Sequence, residues 1–214
     1  MMTLEPLDRA EALRYMGGAD VPPDDSLCAL IDECEQQIIQ SARPRYLYRV
    51  IDLPCPGLTA GRDIEEHLSG CDKAAVMCAT LGAETDRLIR VAQVSDMARA
   101  VVLNSLASVA VEQVCDRAER ELAQRYPDRH FTFRFSPGYG DYPISLQKTL
   151  LTLLDAPRKI GLTANDNHIL IPSKSVTAVT GLSPDPIEKK KQGCAVCNMR
   201  TSCRYRKAGE HCGL

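Results

Sequence analysis

The sequence has no tryptophan and only three phenylalanines, and aromatic residues make up 5% of the chain. Its acidic and basic residues nearly cancel, so the formal net charge is −2. Proteins that bind nucleic acid need a positive field and commonly stack bases on aromatic side chains. This composition supplies neither, and we expect no nucleic-acid partner.

Long apolar runs are scarce as well. We find no run approaching the roughly 18 residues that a membrane-spanning helix needs. The first residues, Met1 to Asp8, do not follow the basic and then apolar order of a signal peptide. We therefore expect a cytoplasmic protein with no membrane partner.

Cysteine, by contrast, is abundant, with ten residues. In a reducing cytoplasm, free thiols or metal ligands are expected rather than disulfides. Six cysteines stand among apolar neighbours, where a reduced thiol packs as a small hydrophobe. These six are Cys28, Cys34, Cys55, Cys71, Cys78 and Cys115.

The other four cysteines crowd into the C-terminal tail and predict a metal site. They are Cys194, Cys197, Cys203 and Cys212. Four thiolates can hold a tetrahedral zinc ion or one iron–sulfur cluster. The spacing of these cysteines does not distinguish between the two. The tail has no apolar core of its own, so ligation would supply its folding energy. Nearby lysines and arginines would offset thiolate charge or bind an acidic partner.

Hydrophobic periodicity predicts helices mainly in the first two thirds of the chain and strands mainly near the end. Predicted helices cover about 25–38, 64–68, 84–125 with a break near Ser95-Asp96, and 143–154. Predicted strands cover 46–51, 74–82, 131–135, 158–162, 169–171 and 175–180. This order predicts an α+β fold, with a mixed or antiparallel sheet and helices packed around it.

We expect a helical segment over 1–39, the main domain over 40–182, a linker over 183–192 and the four-cysteine tail over 193–214. The linker prediction rests on the break at Gly181-Leu182-Ser183-Pro184-Asp185-Pro186.

The segment from Arg134 to Asp141 carries the clearest local chemistry. An arginine at the end of a strand presents a planar fork suited to a carboxylate. Gly138 and Gly140 let a ligand approach the backbone, and Tyr139 adds a flat apolar ring with a hydroxyl. The residues alone fit either a site for a small carboxylate-bearing ligand or an ordinary turn with a surface arginine.

Arg134 to Tyr139 resembles the arginine, three residues, glycine, tyrosine motif of the activation domain of cobalamin-dependent methionine synthase. The helix over 104–117 resembles the family helix that brings a glutamate to the ligand, with Glu112 at the matching place. Segments 161–163 and 171–176 resemble the hairpin that follows the motif. The family often has an acidic residue after the hairpin threonine, whereas Ala164 follows here.

The resemblance implies that the chain binds S-adenosylmethionine. Arg134 would pair with the methionyl carboxylate, and backbone groups of Pro137 and Gly138 would meet polar ligand atoms. Glu112 would attract the ammonium or sulfonium, and Tyr139 would contact the ligand. These five are the expected ligand-binding residues, and none is expected to be catalytic.

The resemblance also implies a role and a partner. In the family, this domain closes over a cobalamin domain whose cobalt has been oxidised, and an electron and the methyl group of S-adenosylmethionine restore methylcobalamin. This sequence has no Asp-x-His-x-x-Gly cobalamin motif, so the expected partner is a separate cobalamin-binding methionine synthase without its own activation domain. The electron donor stays unidentified.

Two other functions fit the residues. The chain could be an iron–sulfur electron-transfer or redox protein for a corrinoid protein, with the core as a docking scaffold. It could instead be a zinc-dependent interaction module. Because reductive reactivation consumes an electron, the expected role favours an iron–sulfur cluster over zinc in the tail.

Overall fold

The computed structural model describes residues 2–17 and 22–187. The predicted metal ligands Cys194, Cys197, Cys203 and Cys212 lie outside the described residues, as does the end of the predicted linker. The helices are α1 (Arg9–Tyr15), α2 (Asp25–Ser41), α3 (Arg62–His67), α4 (Ala83–Ser95), α5 (Met97–Arg125), α6 (Gln147–Leu154) and α7 (Ala156–Ile160). The strands are β1 (Arg45–Asp52), β2 (Lys73–Thr80), β3 (His130–Phe131), β4 (Thr163–Ala164), β5 (Leu170–Ile171) and β6 (Ser175–Ser183).

The main sheet is antiparallel and has the strand order β1-β2-β6-β3. Its central strands β2 and β6 are buried along most of their length. A strand covered on both faces reads as a nearly continuous apolar run, as 74–82 does in the sequence. The predicted α+β class with an antiparallel sheet is confirmed for the described residues.

One face of the sheet carries α1, α2, α4 and α5. Its core is built around α5, whose buried residues include Leu103, Leu106, Ala110 and Val114. The predicted break in the long helix is confirmed: Asp96 is extended, at φ −154°, and its side chain accepts the Arg99 N–H at 3.0 Å. An aspartate in this position caps the first turn of the new helix.

Within the described chain, α5 is the one helix whose length and composition would suit a membrane crossing. Of its most apolar 18-residue window, 61% is buried inside the protein. The helix therefore serves as the central core element, and its apolar character is explained by packing.

The other face of the sheet carries α3, α6 and α7. Their core includes Ile64, Leu150, Leu154 and Leu162, packed against Val179 of β6. The N-terminal helices are anchored on the first face, where the Glu35 carboxylate accepts the Leu7 N–H at 2.8 Å. The described residues of segment 1–39 thus share a core with the main domain.

The strand predicted over 158–162 is wrong, because residues 156–160 form helix α7. Asp155, at φ 55°, ends α6 in a left-handed conformation and redirects the chain into a new turn. Gly161, at φ 69°, then ends α7. The hairpin itself is present but shorter than predicted, with Thr163 paired to Ile171 and Ala164 to Leu170.

The strand predicted over 131–135 is confirmed only at its ends. Phe131 pairs with Leu182 of β6, and Phe135 forms an isolated bridge to Val179. Between these two points the Thr132 N–H donates to the Gly181 carbonyl at 3.0 Å outside the assigned strand, and the Arg134 side chain contacts Glu112 of α5.

The cysteines that we assigned to packing are free thiols. Cys34, Cys78 and Cys115 are buried, and the other three described cysteines are half-buried. Burial raises the pKa of the Cys78 thiol to about 12. Such a thiol stays protonated and unreactive at neutral pH.

Candidate functional site

The Arg134 side chain lies against α5 and is held there by three carboxylates. Nη1 donates to Asp116 Oδ1 and to Glu119 Oε2, both at 2.8 Å. Nη2 donates to Glu112 Oε2 at 2.9 Å. We call these four residues the Arg134 cluster. The structure therefore joins Arg134 and Glu112, which sequence analysis assigned to one site, and adds Asp116 and Glu119.

The charges of the Arg134 cluster do not balance. One guanidinium faces three carboxylates, so two negative charges remain when all four groups are ionised. Burial raises the pKa of Glu112 and of Glu119, and the nearby guanidinium offsets this only in part. Burial acts to lower the pKa of Arg134, but the surrounding acidic groups outweigh it and raise that pKa. The cluster is thus suited to receive positive charge.

Arg134 keeps donors for a ligand even in this arrangement. A guanidinium has five N–H groups, and the three hydrogen bonds to α5 use three of them. The Nε hydrogen and one Nη2 hydrogen remain without a partner among the described residues. These two N–H groups, one on Nε and one on Nη2, can donate to the two oxygens of a carboxylate.

The turn after Arg134 has the geometry that its glycines predict. Pro137 is buried, and Gly138 adopts φ 98°, which L side chains rarely do. The Gly138 N–H donates to the Tyr142 carbonyl at 2.8 Å. A Cβ on Gly138 would lie 3.0 Å from Ile144 Cδ1, so Ile144 would have to shift slightly, while the positive φ itself disfavours a side chain. Tyr139 is 54% exposed, available for contact with a ligand or partner.

The turn is also fastened to the N-terminus of α3. The Asp141 carboxylate accepts the backbone N–H groups of Arg62 and Asp63, each at 2.9 Å. In return, Asp63 Oδ2 accepts the Asp141 N–H at 3.0 Å. The backbone N–H groups of α3 stabilise the charged carboxylate and lower the pKa of Asp141. These reciprocal bonds fix the position of the turn from outside.

Aromatic side chains around Phe135 pack against the turn. The ring of Phe135 stacks on buried His67 with centroids 5.0 Å apart, and it contacts Tyr139 at 6.4 Å and Tyr142 at 6.0 Å. His67 Nε2 lies 2.8 Å from Thr132 Oγ1, which accepts the Gly181 N–H at 2.7 Å. The motif is thereby tied to β6 and α3 together.

The chain aligns over 95% of its length with a solved structure described as the MetH reactivation domain bound to AdoHcy, at a TM-score of 0.64. The alignment covers 82% of that chain, at 14% sequence identity. The protein has the fold of the MetH reactivation domain. No protein-family model matches the sequence, and no curated protein matches it significantly. The likeness is thus carried by the three-dimensional arrangement.

Within this reactivation-domain fold, the structure brings in residues that sequence analysis missed. Asp116 and Glu119 follow Glu112 at helical spacing on α5, a signal that could have grouped them. Tyr15, at the end of α1, lies beside Glu112: burial, Glu11 and Glu112 together raise the pKa of its hydroxyl. The sequence offered no comparable signal for α1.

Lys174 is the other residue missed in this reactivation-domain fold. Its Nζ donates to Ser108 Oγ at 2.9 Å, one turn before Glu112 on α5. The Asp86 carboxylate holds the preceding loop by accepting the Ser173 N–H at 2.6 Å and the Ser173 hydroxyl at 2.9 Å. Among residues 2–17 and 22–187, no group of three or more His, Cys, Asp or Glu is arranged to hold a metal.

Proposed function

We propose that this protein binds S-adenosylmethionine between α5 and the turn that follows Arg134. The observation that carries the proposal is the contact between Arg134 and Glu112, a few residues before the Gly138 turn, within a fold shared with a solved structure described as bound to AdoHcy. AdoHcy is S-adenosylhomocysteine, the demethylated product of S-adenosylmethionine, so the two share nearly all their binding groups.

The charges of the site support this ligand. S-adenosylmethionine carries an ammonium, a sulfonium and one carboxylate, so its net charge is positive. The Arg134 cluster has excess negative charge and would attract the two cationic groups. The two remaining donors of Arg134 would bind the carboxylate, while Pro137 and Gly138 offer backbone groups and Tyr139 its ring. Each charge-assisted contact would contribute about 1.5–3 kcal/mol.

We further propose that the protein supports the reductive remethylation of cobalamin on a separate methionine synthase that lacks its own activation domain. The chain would present S-adenosylmethionine as the methyl donor, and the partner would carry the cobalamin. The four C-terminal cysteines would hold an iron–sulfur cluster, or zinc, beside the domain. We propose that these reactions take place in the cytoplasm.

Calorimetric titration of the full chain with S-adenosylmethionine tests the first proposal. We expect saturable binding at one site per chain, with S-adenosylhomocysteine bound more weakly because it lacks the sulfonium charge. If the titration gives no heat of binding, and S-adenosylhomocysteine does not compete with S-adenosylmethionine, ligand binding is contradicted. The second proposal is tested with an oxidised cobalamin-binding methionine synthase and a reductant, by measuring whether methylcobalamin forms only when this protein and S-adenosylmethionine are both present.

A further inference from the structure

The half-buried ammonium of Lys174 has no anionic partner among the described residues. Its only hydrogen bond there goes to the neutral Ser108 hydroxyl, at 2.9 Å. An ammonium has three donors, so two stay available. Burial lowers the pKa of Lys174, and the nearby Asp86 charge opposes this only in part. Burying a charge without a counterion is costly, which points to a group that is completed by a ligand.

The backbone of Lys174 is fixed while its side chain remains free to bind. Asp86 on α4 accepts the Ser173 N–H, the Ser173 hydroxyl and, at 3.4 Å, the Lys174 N–H. Its carboxylate is therefore used to hold the loop and does not reach Lys174 Nζ as an ion pair. The loop is locked onto α4, and the ammonium is directed at α5.

Lys174 and Arg134 approach the same face of α5. Lys174 contacts Ser108 and Arg134 contacts Glu112, and these two helix positions are four residues apart. Four residues correspond to about 6 Å along the helix axis. The two cations therefore contact neighbouring turns of one helix face, and the two oxygens of a carboxylate can accept hydrogen bonds from two separate donors.

We propose that Lys174 is a second ligand-binding cation of this site and shares the ligand carboxylate with the unused donors of Arg134. The inference rests on the proposed binding of S-adenosylmethionine. When Lys174 is counted with the Arg134 cluster, the site holds two cations and three carboxylates, and its formal net charge is one negative. That charge complements the single net positive charge of S-adenosylmethionine.

The test compares S-adenosylmethionine with its decarboxylated analogue, which keeps both cationic groups. In Lys174→Met we expect affinity for S-adenosylmethionine to fall by about 10-fold or more, the effect of losing one charge-assisted contact. Affinity for the decarboxylated ligand should stay within about 2-fold of wild type. Lys174→Arg should retain most of the affinity for S-adenosylmethionine. Lys148→Met, an exposed lysine paired with Asp166, is the matched control.

Two results would overturn the inference. Unchanged binding of S-adenosylmethionine by Lys174→Met shows that the ammonium does not contact the ligand. An equal loss for both ligands shows that Lys174 acts only on the structure of the site. The proposed function fails differently, since wild-type protein would then bind neither ligand. Thermal unfolding shows whether Lys174→Met is folded. The substitution should leave Tm unchanged or raise it, because it removes a half-buried charge that has no counterion among the described residues.

Discussion

Arg134 and Glu112, 22 residues apart in the sequence, are joined by a hydrogen bond of 2.9 Å between Nη2 and Oε2. The two residues were expected to bind oppositely charged groups of one ligand, Arg134 the carboxylate and Glu112 the ammonium or sulfonium. Because of this contact, the carboxylate of the proposed ligand would meet the donors of Arg134 that the three carboxylates of the cluster leave unused. The same contact holds the guanidinium in place before a ligand arrives, which lowers the cost of ordering it on binding.

Replacing Arg134 should affect ligand binding and stability together. In Arg134→Gln we expect affinity for S-adenosylmethionine to fall by about 10–100-fold and the free energy of unfolding to fall by about 1–3 kcal/mol, because three carboxylates lose their counterion. Adding Glu119→Gln should restore part of the stability but not the affinity. Calorimetry and urea unfolding measure the two effects. Arg158→Gln, an exposed arginine outside the cluster, is the control; an equal loss there would contradict the assignment.

The two glutamates with raised pKa should give stability a specific pH dependence. When the pKa of a carboxyl group is higher in the folded than in the unfolded state, the folded state binds more protons, so stability falls as pH rises. For Glu112 and Glu119 this loss begins near the ordinary value of 4.5 and ends above their raised values. The double variant Glu112→Gln/Glu119→Gln should therefore gain stability relative to wild type as pH rises through that window. Urea unfolding between pH 4 and pH 8 tests it, and a constant difference would refute it.

Gly140 should be essential for the position of the turn. A Cβ there would lie 1.8 Å from Asp63 Oδ2, which accepts the Asp141 N–H. Gly140→Ala should therefore lower both Tm and affinity for S-adenosylmethionine. Gly161→Ala is a matched control, because Gly161 also has a positive φ, of 69°, but its Cβ would meet nothing within 4 Å. Similar effects in both variants would show that backbone strain alone is responsible.

The C-terminal cysteines should bind metal independently of the ligand site. Protein purified without oxygen is expected to be brown, with visible absorption that dithionite bleaches, because an iron–sulfur cluster is proposed there. Cys197→Ser should lose the metal, whereas Cys28→Ser, outside the tail, should keep it. Metal analysis and absorption spectra decide the matter: a colourless protein with one zinc per chain would contradict the cluster and support zinc.

Much of the fold was predictable because local signals agreed with packing. Apolar periodicity located α2, β1, β2 and the two long helices, and Asp96 marked the break between them by its capping chemistry. Helix α7 was mistaken for a strand because a short run such as 158–162 has no distinguishing period. Its helical form depends on the left-handed Asp155, which the sequence did not reveal.

The candidate site was predictable only where a motif was present. Arg134, Gly138 and Glu112 were found by resemblance, and the structure places Arg134 and Glu112 in contact. Asp116 and Glu119 were not assigned to the site, although their spacing puts them on the same face of α5 as Glu112. Lys174 lies in segment 171–176, which resembles the family hairpin, but its contact with Ser108 was not predictable, since it arises only when the hairpin folds back over α4.

The hydrogen bonds from Ser173 to Asp86 fix the loop that carries Lys174, whereas the tip of the hairpin is held by contacts of its own. Asn165 closes the tip locally, with its side chain accepting the N–H groups of Asn167 and Ile169 at 3.0 and 2.9 Å. A fluorescent label or an inserted epitope at Asp166 can therefore report on complex formation without altering the chemistry next to α5. The tip is the natural place for attaching a probe to this molecule.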